Sequence, residues 1–274
     1  MQWPDFSDDV SLQRDVLMAV AERFAKHPAV RDLRLIGSLA AGTADRHSDV
    51  DLLVRVDPGC LGTLWGARVA LVASRVPSVL DLDHQWGGPG LSYAVLYENG
   101  VYLDLTLTDQ EASGGQGAPS RPLWHRVGPP CPPEGTPGWL PAVAQHPLDD
   151  TVRMFWLGAL LCAKYIARRD LWAACWFLES RRAQWVRAWR LVHCPGRAEW
   201  GWSKVEEDLP PVVLDRLAST VTPMNQRRFA EALCVLMQVM DDYGPGLSAA
   251  GGTVYPAHGA LVVRQLVDGV FASL

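Results

Sequence analysis

The chain has 274 residues, 49% of them apolar and 20% charged. That is enough for a sizeable core and excludes global disorder. The net charge of −5 argues against a primary nucleic-acid binder, whose footprint is basic, and is compatible with a cationic small-molecule partner.

Ser7 and Asp8 can cap a first helix in which Leu12, Val16, Val20 and Phe24 recur at helical spacing, and His27-Pro28 ends it. Leu33-Arg34-Leu35-Ile36 reads as a short strand stopped by Gly37, and residues 50–56 as a second strand stopped by Pro58-Gly59. A helix over about residues 61–75 and a third strand over 76–83 follow. Two further strands, about 91–98 and 101–108, flank Asn99-Gly100. That dipeptide is the expected signal of a type I′ hairpin turn, which needs positive φ at both positions. The segment from Asp109 to Pro147 holds nine prolines and is expected to form a connector without regular elements of any length.

From residue 148 the pattern is helical. Helices are expected to about Arg168, from the Asp170 cap to about His193, over 205–218 and 223–243, and over 258–272. The fold class expected is therefore α+β. Residues 1–110 form an α+β domain with a small mixed sheet, 111–147 a Pro/Gly-rich connector and 148–274 a helical bundle. The six cysteines, Cys60, Cys131, Cys162, Cys175, Cys194 and Cys234, contain no CxxC pair and read as buried free thiols. No basic head precedes an apolar stretch at the N-terminus, and the longest apolar run, residues 154–163, is too short to span a bilayer. A soluble, cytoplasmic protein is expected.

The stretch that carries chemistry runs from Leu35 to Val54. A strand ends in Gly37-Ser38, a ten-residue connection follows, and the next strand carries Asp49 and Asp51. Residues i and i+2 of a strand share a face, so the two carboxylates form a hard-oxygen site suited to Mg²⁺ and substrate phosphates. Asp104, mid-strand among apolar residues, is the favoured third carboxylate, with Asp81 and Asp83 as rivals on a neighbouring strand. A Ser-His-Asp triad of Ser48, His47 and Asp49 is excluded, because adjacent residues cannot reach that geometry.

The stretch from Gly37 to Val54 resembles the signature of the DNA-polymerase-β-like nucleotidyltransferase superfamily. More narrowly, Gly37-Ser38, Gly42 and His47-Ser48-Asp49-Val50-Asp51 are similar to the aminoglycoside nucleotidyltransferases. The helical half is more weakly similar to streptomycin and lincosamide nucleotidyltransferases, through Arg169-Asp170-Leu171 and the run from 223 to 243. The resemblance implies that Asp49 and Asp51 bind two Mg²⁺ ions, and that Asp104 completes the metal site or accepts the proton of the acceptor hydroxyl. It implies that Ser38 and Ser48 hold nucleotide phosphates, that Gly37 and Gly42 let the backbone approach them, and that ATP is the donor. Leu123-Trp124-His125-Arg126-Val127-Gly128 departs from the drug-modifying pattern, having His125 where relatives often have Asp.

Seven of the twelve tryptophans lie between Trp156 and Trp202, and core packing accounts for most of them. Trp172, Trp176 and Glu179 stand at i, i+4 and i+7, so they share one helix face. Two indoles and a carboxylate there form a candidate contact for a cationic amino sugar. The activity implied is transfer of AMP from ATP to a hydroxyl of a small acceptor, an aminoglycoside-like antibiotic first, with release of pyrophosphate. A lincosamide, another metabolite or a protein is the alternative acceptor, and a non-catalytic nucleotide-binding protein the alternative class. Neither nucleic acid nor membrane is an expected partner.

Overall fold

The computed structural model describes residues 1–84, 90–110, 119–133, 146–272 and 274. The chain divides into two compact units, Met1–Ala144 and Gln145–Leu274. Most of the segment 111–147 lies outside the described residues.

In the first unit the elements follow in the order α1 (Ser11–Ala25), β1 (Val30–Ile36), α2 (Gly37–Ala41), β2 (Val50–Val56), α3 (Leu61–Leu71), β3 (Ser78–His84), β4 (Leu91–Tyr97), β5 (Tyr102–Thr108) and β6 (Ser120–His125). The strands form one mixed sheet in the order β3-β4-β5-β2-β1-β6. Among the described residues only β2 and β5 run parallel; every other pair is antiparallel. One face, carrying Leu33, Leu35, Leu52, Val54, Leu103, Leu105, Tyr93 and Val95, packs with Val16, Leu17, Val20 and Phe24 of α1 and with Leu61 and Leu64 of α3 into the core.

Three expectations need correction here. Leu12 is 51% exposed and Gln13 is buried instead, because α1 turns its 13, 16, 17, 20, 24 stripe inward and the Gln13 amide finds carbonyl partners. The Asn99-Gly100 hairpin is not a type I′ turn. Gly100 alone has positive φ, its N–H donates to the Tyr97 carbonyl, and Tyr97 N–H donates to the Val101 carbonyl. This is the three-residue loop with a left-handed last position. The proline-rich segment does contain a regular element, β6. Pro122 is tolerated because β6 lies at the sheet edge and its pairing with β1 is shifted at Leu33/Arg34, opposite Pro122.

The second unit contains α4 (Pro147–Ala167), α5 (Leu171–His193), α6 (Val205–Asp208), α7 (Pro211–Ser219), α8 (Gln226–Ala250) and α9 (Ala257–Phe271). Asp170 caps α5, its carboxylate accepting from Ala173 N–H at 3.3 Å. The 205–218 helix is broken in two at Leu209-Pro210, and α8 runs past Gly244-Pro245 to Ala250. Packing holds α8 together there: Gly244 lies against the Tyr255 ring, and Asp241 accepts from Tyr255 and pairs with Arg264 of α9. Arg190, fully buried on α5, pairs with Asp208 and donates to the carbonyls of Gly201 and Ser203, tying down the loop between α5 and α6. All six cysteines are free, but only Cys60 and Cys162 are buried and Cys234 is exposed. No helix among the described residues is long and apolar enough to cross a membrane.

Candidate active site

The site is built on the face of the sheet opposite α1 and α3. The central feature is a register match. On the parallel pair β2 and β5, Asp51 stands directly beside Asp104, and Ile36 at the end of β1 stands on its other side. Two carboxylates from distant parts of the chain therefore share one face at one level of the sheet. Both are half-buried.

Gly37 fits around this pair. It follows Ile36 with φ +72°, and a Cβ on it would lie 2.5 Å from Asp51 Oδ2. The absent side chain thus makes room for the Asp51 carboxylate. Gly42 has φ +73° but nothing within 4 Å of a Cβ; it ends α2, its N–H donating to the Ser38 carbonyl. Ser38 itself opens α2 beside Gly37 and is half-buried.

The loop leading into β2 is tightly organised. Asp45 Oδ1 accepts from His47 N–H at 2.9 Å and from the Ser48 hydroxyl at 3.2 Å, while Ser48 Oγ accepts from Asp45 N–H at 3.0 Å. Gln13 of α1 donates its amide to the carbonyls of Arg46 and Ser48, each at 3.1 Å. Ser48 is buried, with 4% exposure, so its hydroxyl braces the loop that presents Asp49, which stands half-buried immediately before β2. Gln13 was not anticipated from the sequence. A polar residue inside an apolar helical stripe is the signal that points to it.

The rival carboxylates face the other way. Asp81 and Asp83 pair across to Val95 and Tyr93, on the core side of β4. Asp81 accepts from the Tyr93 hydroxyl, and Arg68 of α3 clamps Asp83 through Nε at 2.7 Å and Nη2 at 2.6 Å. The Arg68 guanidinium lies 4.4 Å from the Trp65 ring centroid and 5.1 Å from that of Tyr93. Burial first and the Asp81 contact second hold the Tyr93 hydroxyl protonated well above the usual tyrosine range.

Two further residues on the site face come from β3 and β1. His84 Nε2 is 3.4 Å from Asp104 Oδ1. Arg34 donates from Nε to Ser120 Oγ at 2.9 Å. Neither was anticipated as a site residue. Trp172 and Trp176 on α5 are 79% and 57% exposed, while Glu179 is engaged with Arg182. His125 is exposed at the end of β6, paired in register with Asp32.

Could these residues hold a divalent cation? Asp104 stands on the same face and level as Asp51, and its side chain is 25% exposed although Oδ1 is buried beside His84. That donor set fits a hard cation taking one or two carboxylates and completing its shell with phosphate oxygens and water. A closed cage is not present: among the described residues no group of three His, Cys, Asp or Glu side chains is arranged to hold a metal ion.

Residues 17–67 match the nucleotidyltransferase domain family. The match spans most of α1, then β1, α2, β2 and the first part of α3, and so includes Gly37, Ser38, Asp49 and Asp51. The matched segment stops short of β5 and Asp104, which the sheet register brings to it. An aminoglycoside 6-adenyltransferase from Bacillus subtilis is similar over 97% of this chain and 99% of that one, at 15% identity and a TM-score of 0.40. Comparison with curated proteins finds no match.

Proposed function

We propose that the protein is a magnesium-dependent nucleotidyltransferase that moves AMP from ATP to a hydroxyl of a small, cationic acceptor, an aminoglycoside-like compound first. The observation that carries this reading is the Asp51–Asp104 register pair beside Gly37, with Asp51 inside the nucleotidyltransferase segment. In the reaction the acceptor oxygen forms a bond to the α-phosphorus, the bond from that phosphorus to the bridging α–β oxygen breaks, and pyrophosphate leaves. Asp49, Asp51 and Asp104 are the residues that would hold two Mg²⁺ ions, which supply charge neutralisation at the attacking and leaving oxygens. Asp104 is also the candidate acceptor of the hydroxyl proton, the role that the family resemblance gives the third carboxylate. Ser38, at the start of α2, is the candidate phosphate donor. Ser48 contributes through the Asp45 loop, whose shape fixes Asp49.

The exposed indoles of Trp172 and Trp176 offer a surface for a cationic ring compound. Glu179 is paired with Arg182 through Oε2 alone and is 49% exposed, so its second oxygen is the one offered to such a ligand. Cytoplasmic location and a drug-resistance role follow from the same reading.

The test is a mass-spectrometric transfer assay with Mg²⁺, each nucleoside triphosphate, and panels of aminoglycosides and lincosamides. A nucleotidyl adduct on one compound, absent with Asp49→Asn and Asp51→Asn, supports the reading and identifies donor and acceptor. Label on a polypeptide moves the acceptor to a protein. Absence of magnesium-dependent nucleotide binding would overturn the proposal.

A further inference from the structure

We infer that His84 is a positioning residue for Asp104, fixing which carboxylate oxygen is offered to the cation. This rests on the reading of Asp51 and Asp104 as the cation-binding pair. Three observations support it. The His84 side chain is 94% buried, its relative exposure being 6%, although it closes an edge strand. A histidine at that place is not there for solvation. Its Nε2 lies 3.4 Å from Asp104 Oδ1, the oxygen that is buried without a hydrogen bond. Finally, the residue of β4 directly opposite Asp104 is Ala94, and the one opposite His84 is Ser92. These small side chains are what allow an imidazole to reach diagonally across an intervening strand.

The contact is long for a hydrogen bond. Such contacts tighten when a ligand completes a catalytic site. Carboxylates that bind metals are in turn hydrogen-bonded by an outer shell, and loss of an outer partner costs about 10–100-fold in metal affinity. Once the approach tightens into an Nε2–H···Oδ1 bond, the Asp104 carboxylate no longer rotates freely, and Oδ2 is the oxygen left for the cation. The role requires the Nε2–H tautomer; it does not require a change of protonation.

The experiment compares His84→Gln, which keeps a nitrogen donor at similar reach, with His84→Phe, which keeps the ring and removes the donor. Mn²⁺ is the probe, its binding to the full chain followed by electron paramagnetic resonance with a non-hydrolysable ATP analogue present. His84→Phe should bind Mn²⁺ about 10-fold more weakly. His84→Gln should lie within about 2-fold of wild type on the same reasoning, that the donor is what matters. Thermal melts of both variants show whether the fold is kept. Long-range ¹H–¹⁵N spectra of the histidine ring should show the Nε2–H tautomer for His84 and a changed Nε2 shift in Asp104→Asn. An Nδ1–H tautomer, or equal Mn²⁺ affinities for the two His84 variants, would overturn the inference while Asp51→Asn still abolished binding. Wild-type protein that binds no Mn²⁺, or an Asp51→Asn variant that binds it normally, would instead overturn the metal reading and this role with it.

Discussion

Two glycines in the same backbone conformation separate the cost of a strained turn from the cost of displacing a carboxylate. Gly37 and Gly42 have φ values of +72° and +73°, and alanine in that region costs about 1–2 kcal/mol at either position. At Gly42 the added methyl meets nothing within 4 Å, whereas at Gly37 it would sit 2.5 Å from Asp51 Oδ2 and 3.4 Å from Asp51 Cγ. Asp51 must then move, and a displacement of about 1 Å in a reacting constellation costs on the order of 100-fold in rate. Both variants should therefore lower Tm by roughly 2–8 °C, but only Gly37→Ala should lose Mn²⁺ and nucleotidyl transfer. A double-mutant cycle sharpens the test. In an Asp51→Ala background the clash is gone, so Gly37→Ala should cost no more stability than Gly42→Ala, and the difference between backgrounds is the coupling. A Gly37→Ala variant that binds Mn²⁺ as Gly42→Ala does, with no coupling to Asp51, would refute the argument that Gly37 exists to admit the carboxylate.

Other elements make independent claims. Asp57 accepts from both terminal nitrogens of Arg126 and from Cys131 N–H, and chiefly the Arg126 hydrogen bond holds its carboxyl below the ordinary value of 3.8. Its stabilisation is then complete above that value and fades as the pH falls towards the lower native one. Wild-type protein should accordingly lose its stability advantage over Asp57→Asn, about 3 kcal/mol at neutral pH for breaking a buried pair, as melts are taken from about pH 5 to about pH 2. Gly158→Ala should destabilise the helical unit by about 1–3 kcal/mol in denaturant titrations, because a Cβ there would fall 1.1 Å from Arg181 Nη1. Trp172→Ala and Trp176→Ala remove exposed rings, so stability should change by no more than about 0.5 kcal/mol while the KM for the acceptor rises.

Much of this was legible in the sequence, for reasons that differ by element. The bounds of β2 and α5 were clear because each is framed by its own chemistry: Asp51 to Pro58-Gly59 in one case, the Asp170 cap in the other. The site signature was legible because Gly37, Ser38, Asp49 and Asp51 lie within one strand–turn–strand. What was not legible depends on pairing across the sheet. Asp104 was favoured over Asp81 and Asp83 by its strand's alternation, but what sets it beside Asp51 is the register of β2 with β5 and of β3 with β4, and no single strand encodes its partner's parity. His84 was hidden for the same reason, since two strand pairings stand between it and Asp104. The edge strand β6 was masked by Pro122, whose cost vanishes at a bulged edge.

Two carboxylates at one level of one sheet face lead to a measurable conflict between stability and binding. On the site face, Asp51 and Asp104 stand side by side. Like charges directly opposite on neighbouring strands destabilise a sheet by roughly 0.2–1 kcal/mol, and the 3.4 Å approach of His84 to Asp104 offsets this only partly. Removing one charge should therefore leave the metal-free protein as stable as wild type or slightly more so. Adding Mn²⁺ at about 100 times its dissociation constant should stabilise wild type by about 2.7 kcal/mol and leave Asp104→Asn and Asp51→Asn almost unmoved. Melts of the three proteins with and without Mn²⁺ decide the matter. Variants that are destabilised without metal and still respond to it would show that the pair is held by the fold for packing. Variants that gain stability and lose the response would show that the fold tolerates repulsion there in order to bind a cation.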